Sequence, residues 1–160
     1  MQTLMVKSGK RYRKATAAEV AEVAGEFARR ELSRVREPMG NPQLVVPYLQ
    51  KMYLGRDYET FIVLFLDTRY RLLEPVEMFR GTLSSSSVHP REVVKECLWR
   101  GAASIICAHN HPSGVADPSR ADTYITAALE RALSTIDIRL LDHLIIAGAG
   151  YFSFRQAGRI

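Results

Sequence analysis

The sequence predicts a single α/β (α+β) domain built on one mixed, mostly antiparallel sheet flanked by helices. Two observations carry that expectation. Short apolar runs rich in branched and aromatic residues, "ETFIVLFLD", "AASIICA" and "IRLLDHLIIAG", have the length and composition of buried strands. Between them lie stretches with helical periodicity and cap residues, so strands and helices alternate along the chain rather than segregating. The chain has 160 residues and 47% hydrophobic content, enough for one domain with a real core.

Residues 16–36 are expected to form the first helix. Thr16 and Glu19 fit a capping box, and Val20, Val23, Phe27, Leu32 and Val35 give an apolar stripe. Pro38, Gly40 and Pro42 end it. A second helix is expected over 43–54, with Pro47 in or near its first turn. The run at 59–67 reads as a central strand. "TRY" then turns the chain into a second strand over 71–76, and "MFRGTLSSSSV" reads as a third, with Gly81 as a bulge or close approach. Pro90 suits the first turn of a helix over 90–100, whose Val93, Val94, Cys97 and Leu98 would share a face. "AASIICA" is the next strand, a helix covers about 119–135, and "IRLLDHLIIAG" and "YFSF" are the last strands.

Charge is unevenly placed. Lys7, Lys10, Arg11, Arg13 and Lys14 fall within the first 14 residues, which hold no acid. The other 17 basic residues balance the 17 acidic ones, so the net charge of +5 sits in this leading arm. A solvated, poorly ordered tail is the expectation, with weak nucleic-acid contact through residues 1–14 as the alternative. The first 41 residues are read as this arm and a leading helix, and 42–160 as the folded domain. No apolar stretch is long enough to cross a membrane, and the N-terminus has no leader pattern. The two cysteines are too few for a disulfide framework. A cytoplasmic protein without membrane contact is expected.

The chemistry concentrates in "CAHNHPSGVADPSRAD", residues 107–122. In an extended segment residues i and i+2 point the same way, so His109 and His111 can face one point. Pro112 favours an extended His111. Pro118-Ser119 then opens a helix, with Ser119 as N-cap and Asp122 in the first turn. Two imidazoles and a carboxylate, with a fourth position left to water, make a catalytic rather than a structural zinc set. Such chemistry also needs a base for the water's proton, and Glu59, at the start of the first buried strand, is the candidate. Ser119 is the candidate donor to a developing oxyanion. Taken singly, each of these residues has an ordinary reading: a loop histidine, two helix-start residues, a solvated glutamate. The spacing His-x-His, seven residues, Ser, two residues, Asp is far more specific than any of them. His143 reads as a structural hydrogen-bonding residue, His89 as a local cap or packing residue, and Cys107 as a core thiol on the same side as His109.

That spacing resembles the JAMM (MPN+) motif of zinc-dependent metallopeptidases. The segments "FRGTLSSSSVHPREVVKECL", "HNHPSGVADPSRAD" and "IRLLDHLII" are similar to the bacterial RadC proteins, and the likeness covers roughly 42–160. It implies an MPN/JAMM domain of cytidine-deaminase-like architecture. It further implies a Zn2+ held by His109, His111 and Asp122, with Glu59 and Ser119 as catalytic residues. Ser113 and Gly114 would shape a loop that meets substrate. RadC proteins commonly carry a helix-hairpin-helix module before this domain. Residues 1–41 lack its Gly-rich hairpins, and the chain resembles the short RadC-like proteins of mobile elements. The expected activity is hydrolysis of a peptide or isopeptide bond in an unidentified peptide or protein partner. The alternative is a non-catalytic, DNA-associated accessory protein of the repair or recombination type. Homo-oligomerisation is a further expectation.

Overall fold

The computed structural model describes residues 4–8, 11–34, 38–81 and 88–160. The described part of the basic arm forms an antiparallel pair, β1 (Met5–Ser8) with β2 (Arg11–Lys14), in place of the expected disordered tail. The signal was present in the sequence: Gly9-Lys10 is a Gly-X pair between two short runs, a two-residue hairpin pattern. Arg13 anchors the hairpin through two bonds to Glu19, at 2.8 and 2.5 Å. Glu19 also closes the expected capping box with Thr16, whose backbone N–H it accepts at 2.9 Å while its own N–H donates to Thr16 Oγ1 at 3.2 Å. Helix α1 (Ala17–Arg34) follows. Val23 was expected on its buried stripe and is instead exposed. The stripe positions Phe27, Leu32 and Val35 fall outside the residues whose side chains are described.

Helix α2 (Pro42–Tyr53) begins one residue earlier than expected. Asn41 caps it, accepting from Gln43 N at 2.9 Å, and Pro42 takes the first helical position. Pro47 therefore lies inside the helix rather than in its first turn. Gly55, at φ +74°, turns the chain out of α2, and a Cβ there would come within 3.2 Å of Ala21 in α1.

The main sheet has the order β4-β3-β5-β6-β7, formed by β3 (Thr60–Leu66), β4 (Leu72–Arg80), β5 (Ser104–Asn110), β6 (Arg139–Ala147) and β7 (Gly150–Ser153). Only β5 and β6 run parallel, as the mixed, mostly antiparallel expectation requires. The two strands expected at 71–76 and from 78 onward are one continuous strand, β4. It lies on the sheet edge, where Pro75 removes no needed donor. The bulge expected at Gly81 sits at Met78 instead, where the register steps from Phe61↔Phe79 to Ile62↔Glu77. The serine run lies outside the described residues.

Alternation along the strands divides the core. Ile62, Leu64, Leu66, Ile106, Ala108, Leu144 and Ile146 face α2, which presents Val45, Val46, Leu49 and Met52. Phe61, Val63, Phe65, Ile105 and Cys107 face the opposite side. There α3 (Pro90–Arg100) contributes Val93 and Cys97, and α4 (Arg120–Ser134) contributes Ile125, Leu129 and Leu133. Leu98, expected on the buried face of α3, is exposed. With both faces covered, β3 and β5 are buried along their whole length, which accounts for their unbroken apolar runs. Each large aliphatic side chain so buried contributes about 1.5–3 kcal/mol. Among the described residues, no helix is long and apolar enough to cross a membrane.

Candidate metal centre

The site forms where β5 ends and α4 begins. His109 is in β5 and His111 lies one residue beyond it, so their side chains share a face, as alternation requires. Their Nε2 atoms are 3.0 Å apart. Ser119 is the N-cap of α4 and forms a reciprocal capping box with Asp122: Asp122 N–H donates to Ser119 Oγ at 3.1 Å, and Ser119 N–H donates to Asp122 Oδ2 at 2.7 Å. The box aims the carboxylate at the imidazoles. Asp122 Oδ1 is 3.1 Å from His109 Nε2, and Oδ2 is 3.7 Å from His111 Nε2. His109, His111 and Asp122 thus offer converging ligand atoms. A tetrahedral zinc with bonds of about 2.0–2.2 Å holds its ligand atoms about 3.3–3.6 Å apart, and the observed spacings of 3.0, 3.1 and 3.7 Å bracket that range.

The donor set fits a cation on chemical grounds as well. His111 Nδ1 lies 2.8 Å from the Val115 carbonyl, which can only accept, so Nδ1 carries the hydrogen and Nε2 presents a lone pair. That lone pair, a carboxylate and the second Nε2 point at one another, a set that either a cation or a hydrogen on His109 Nε2 holds together. Burial alone would push the Asp122 carboxyl up. The hydrogen bond and charge of His109, with the Ser119 contacts, outweigh burial and hold it well below the usual carboxylate range. His109 and Asp122 are buried, while His111 keeps 15% side-chain exposure and opens the cluster to solvent.

Ser113 and Gly114 lie in the exposed loop after His111. Gly114 adopts φ +79° and donates its N–H to the His111 carbonyl at 3.1 Å. This turn brings the Val115 carbonyl back onto the His111 ring. The loop predicted to meet substrate therefore also orients the His111 ring. Ser119 is exposed, its Oγ accepting from Asp122.

Glu59 immediately precedes β3 and is half-buried. The register Phe61↔His109, continued by two residues, sets Glu59 across from His111 on the same face. Asn110, between the two histidines, was not singled out from the sequence. Its Oδ1 accepts from Thr60 N at 2.8 Å and its Nδ2 donates to the Tyr58 carbonyl at 2.9 Å, so it grips the backbone on both sides of Glu59. An amide in a buried strand end, which must find partners for both its oxygen and its nitrogen, was the available signal. His143 is buried in β6, 2.9 Å from His109 Nδ1 through its Nε2. His89 sits at the N-cap of α3 but makes no side-chain capping bond.

A cleft of about 380 Å³ adjoins the cluster, lined by Gln50, Arg56, Asn110, His111, Gly114 and Gly148 among others. The larger cavity, about 950 Å³, gathers around Arg139 and Leu140 at the start of β6 and includes none of the three clustered residues. Volume alone points to that end of the sheet, and the converging donor atoms point to the other.

The profile of the RadC-like JAB domain matches residues 39–159. The chain belongs to the RadC-like JAB domain family. It is 49% identical over 138 residues to a UPF0758 protein of Herminiimonas arsenicoxydans, covering 84% of this chain and 62% of that protein. A UPF0758 protein of Methylibium petroleiphilum is 51% identical over 147 residues, covering 90% and 66%. One from Shewanella baltica is 46% identical over 140 residues, covering 88% and 62%. The chain thus spans less than two thirds of the length of these relatives.

Proposed function

We propose that the chain is a zinc-dependent hydrolase of the JAMM type that cleaves a peptide or isopeptide bond. The reading is supported above all by the convergence of two imidazole nitrogens and a carboxylate at spacings of 3.0, 3.1 and 3.7 Å. His109, His111 and Asp122 would hold zinc, which when bound lowers the pKa of water to about 7 and polarises a carbonyl. Glu59 takes the proton of the attacking water and returns it to the leaving nitrogen. Ser119 donates its hydroxyl hydrogen to the developing oxyanion. Asn110 keeps Glu59 in register with His111. The peptide reaches the cluster from the exposed side of His111, through the adjoining cleft.

The test separates metal from catalysis. A peptide and isopeptide library first supplies a cleavable substrate. Glu59→Gln should then keep its zinc and lose about 10²–10⁴-fold in turnover. Ser119→Ala should keep zinc and lose about 10²–10³-fold. Full turnover in Glu59→Gln would refute the mechanism.

A second reading, a DNA-associated accessory protein, draws on the hairpin. Tyr12 is exposed, and the register sets it opposite Lys7, with Lys14 two residues away on the same face. Deleting residues 1–14 should then weaken DNA binding and flatten its salt dependence. Equal binding by both forms would dismiss it.

A further inference from the structure

His143 has no exposed surface. Phe154 stacks on it at 5.0 Å, and Phe61 meets it edge-on at 5.5 Å. A third aromatic ring would pack in this place without the cost of burying two polar nitrogens. Both nitrogens are nevertheless used. Nδ1 lies 2.6 Å from Thr126 Oγ1, and Nε2 lies 2.9 Å from His109 Nδ1. Thr126 Oγ1 is also 2.6 Å from the carbonyl of Asp122, one helical turn back.

The direction of each bond follows from that carbonyl. It can only accept, so the single hydroxyl hydrogen of Thr126 goes to it. Thr126 then offers His143 only a lone pair, and His143 Nδ1 must carry the hydrogen. His143 Nε2 is left as an acceptor, and His109 Nδ1 must donate to it. His143 is fully buried, stacked on Phe154 and edge-on to Phe61, and such an apolar enclosure favours the neutral ring.

We propose that Thr126 and His143 form a tautomer lock that places the hydrogen of His109 on Nδ1 and frees Nε2 as a metal ligand. The lock rests on the zinc reading for its purpose and on the bond directions for its existence. It begins and ends on one residue: the Asp122 backbone carbonyl sets the tautomer, and the Asp122 carboxylate meets the nitrogen so freed. Thr126 and His143 are positioning residues, acting through His109.

Thr126→Val keeps the shape of the side chain and removes the hydroxyl, and Thr126→Ser keeps the hydroxyl. Zinc affinity, measured by competition with a chromophoric chelator, should fall about 10–100-fold in Thr126→Val and recover in Thr126→Ser. The unfolding midpoint of each metal-free variant checks that the fold is intact. Nitrogen-15 spectra of metal-free wild type at pH 9 need no variant and should show His109 as one Nδ1–H tautomer. Wild-type zinc affinity in a folded Thr126→Val, or mixed His109 tautomers in the wild type, would overturn the lock while leaving the zinc reading intact. A single Nδ1–H tautomer in a wild type that takes up no zinc would support the lock and overturn the zinc reading.

Discussion

The two faces of the sheet are covered alike, by helices bearing aliphatic side chains, yet they bury different chemistry. On the α2 side the strands present Ile62, Leu64, Ile106 and Ala108, and the hydroxyl of Tyr53 donates to the Ala108 carbonyl at 2.8 Å. On the α3 and α4 side the same strands present Phe61, Cys107 and His109, and the neighbouring strand adds His143. A single step along β5, from Ala108 to His109, separates the two environments. Polar groups on the second face are gathered where β5 ends and α4 begins, and each imidazole nitrogen of His109 and His143 has a partner. Burial of polar groups is tolerated there because a network satisfies them, whereas the α2 face supplies stability through packing.

That contrast predicts different losses on the two sides. Leu64→Ala, on the packing face, should cost about 2–5 kcal/mol in denaturant unfolding and leave zinc content per folded molecule unchanged. A parallel loss of zinc would break the division between the faces. The polar face should instead be sensitive to acid. His143 has a folded pKa depressed below its unfolded value, so the unfolded chain binds its proton first. Metal-free protein should therefore lose stability as pH falls below about 6.5, and His143→Gln should flatten that slope. An identical slope in the variant would assign the acid sensitivity elsewhere. Tyr53→Phe removes one hydrogen bond from the packing face and should cost about 0.5–1.5 kcal/mol, without effect on zinc. The smallest expected signal is from the thiols. Cys97 and Cys107 are buried, and burial pushes Cys97 up to about 12 and Cys107 well up. Neither should react with an alkylating reagent in the folded protein at pH 8, although Cys107 lies two residues from His109. Rapid labelling of Cys107 would mean that the polar face opens.

The same division governs how much could be read from the chain. Convergence of His109, His111 and Asp122 was legible because strand alternation and a helix cap are local rules, and all three residues fall within 14 positions. The buried strands were legible from composition. Two strands were expected where β4 is one; it carries Pro75 within it, and the sequence does not say that this strand lies on an edge, where a proline is tolerated. Pro42 and Pro47 both suit a helix start, and only the Asn41 cap decides between them. The basic arm looked like a tail because charge dominates its composition, although Gly9-Lys10 has the residue pattern of a hairpin turn. His143 was read as a structural hydrogen-bonding residue, but Thr126 was not singled out and the pair was not legible. Their partners lie 34 and 17 positions apart, distances that only the register of β5 on β6 and the packing of α4 bring together.

The most direct test is the zinc content of purified wild type and His109→Ala, measured by elemental analysis after dialysis against metal-free buffer. The account predicts about one zinc per chain in the wild type and the loss of most of it in the variant, with both proteins folded. Equal zinc in the two proteins, or none in either, would contradict it.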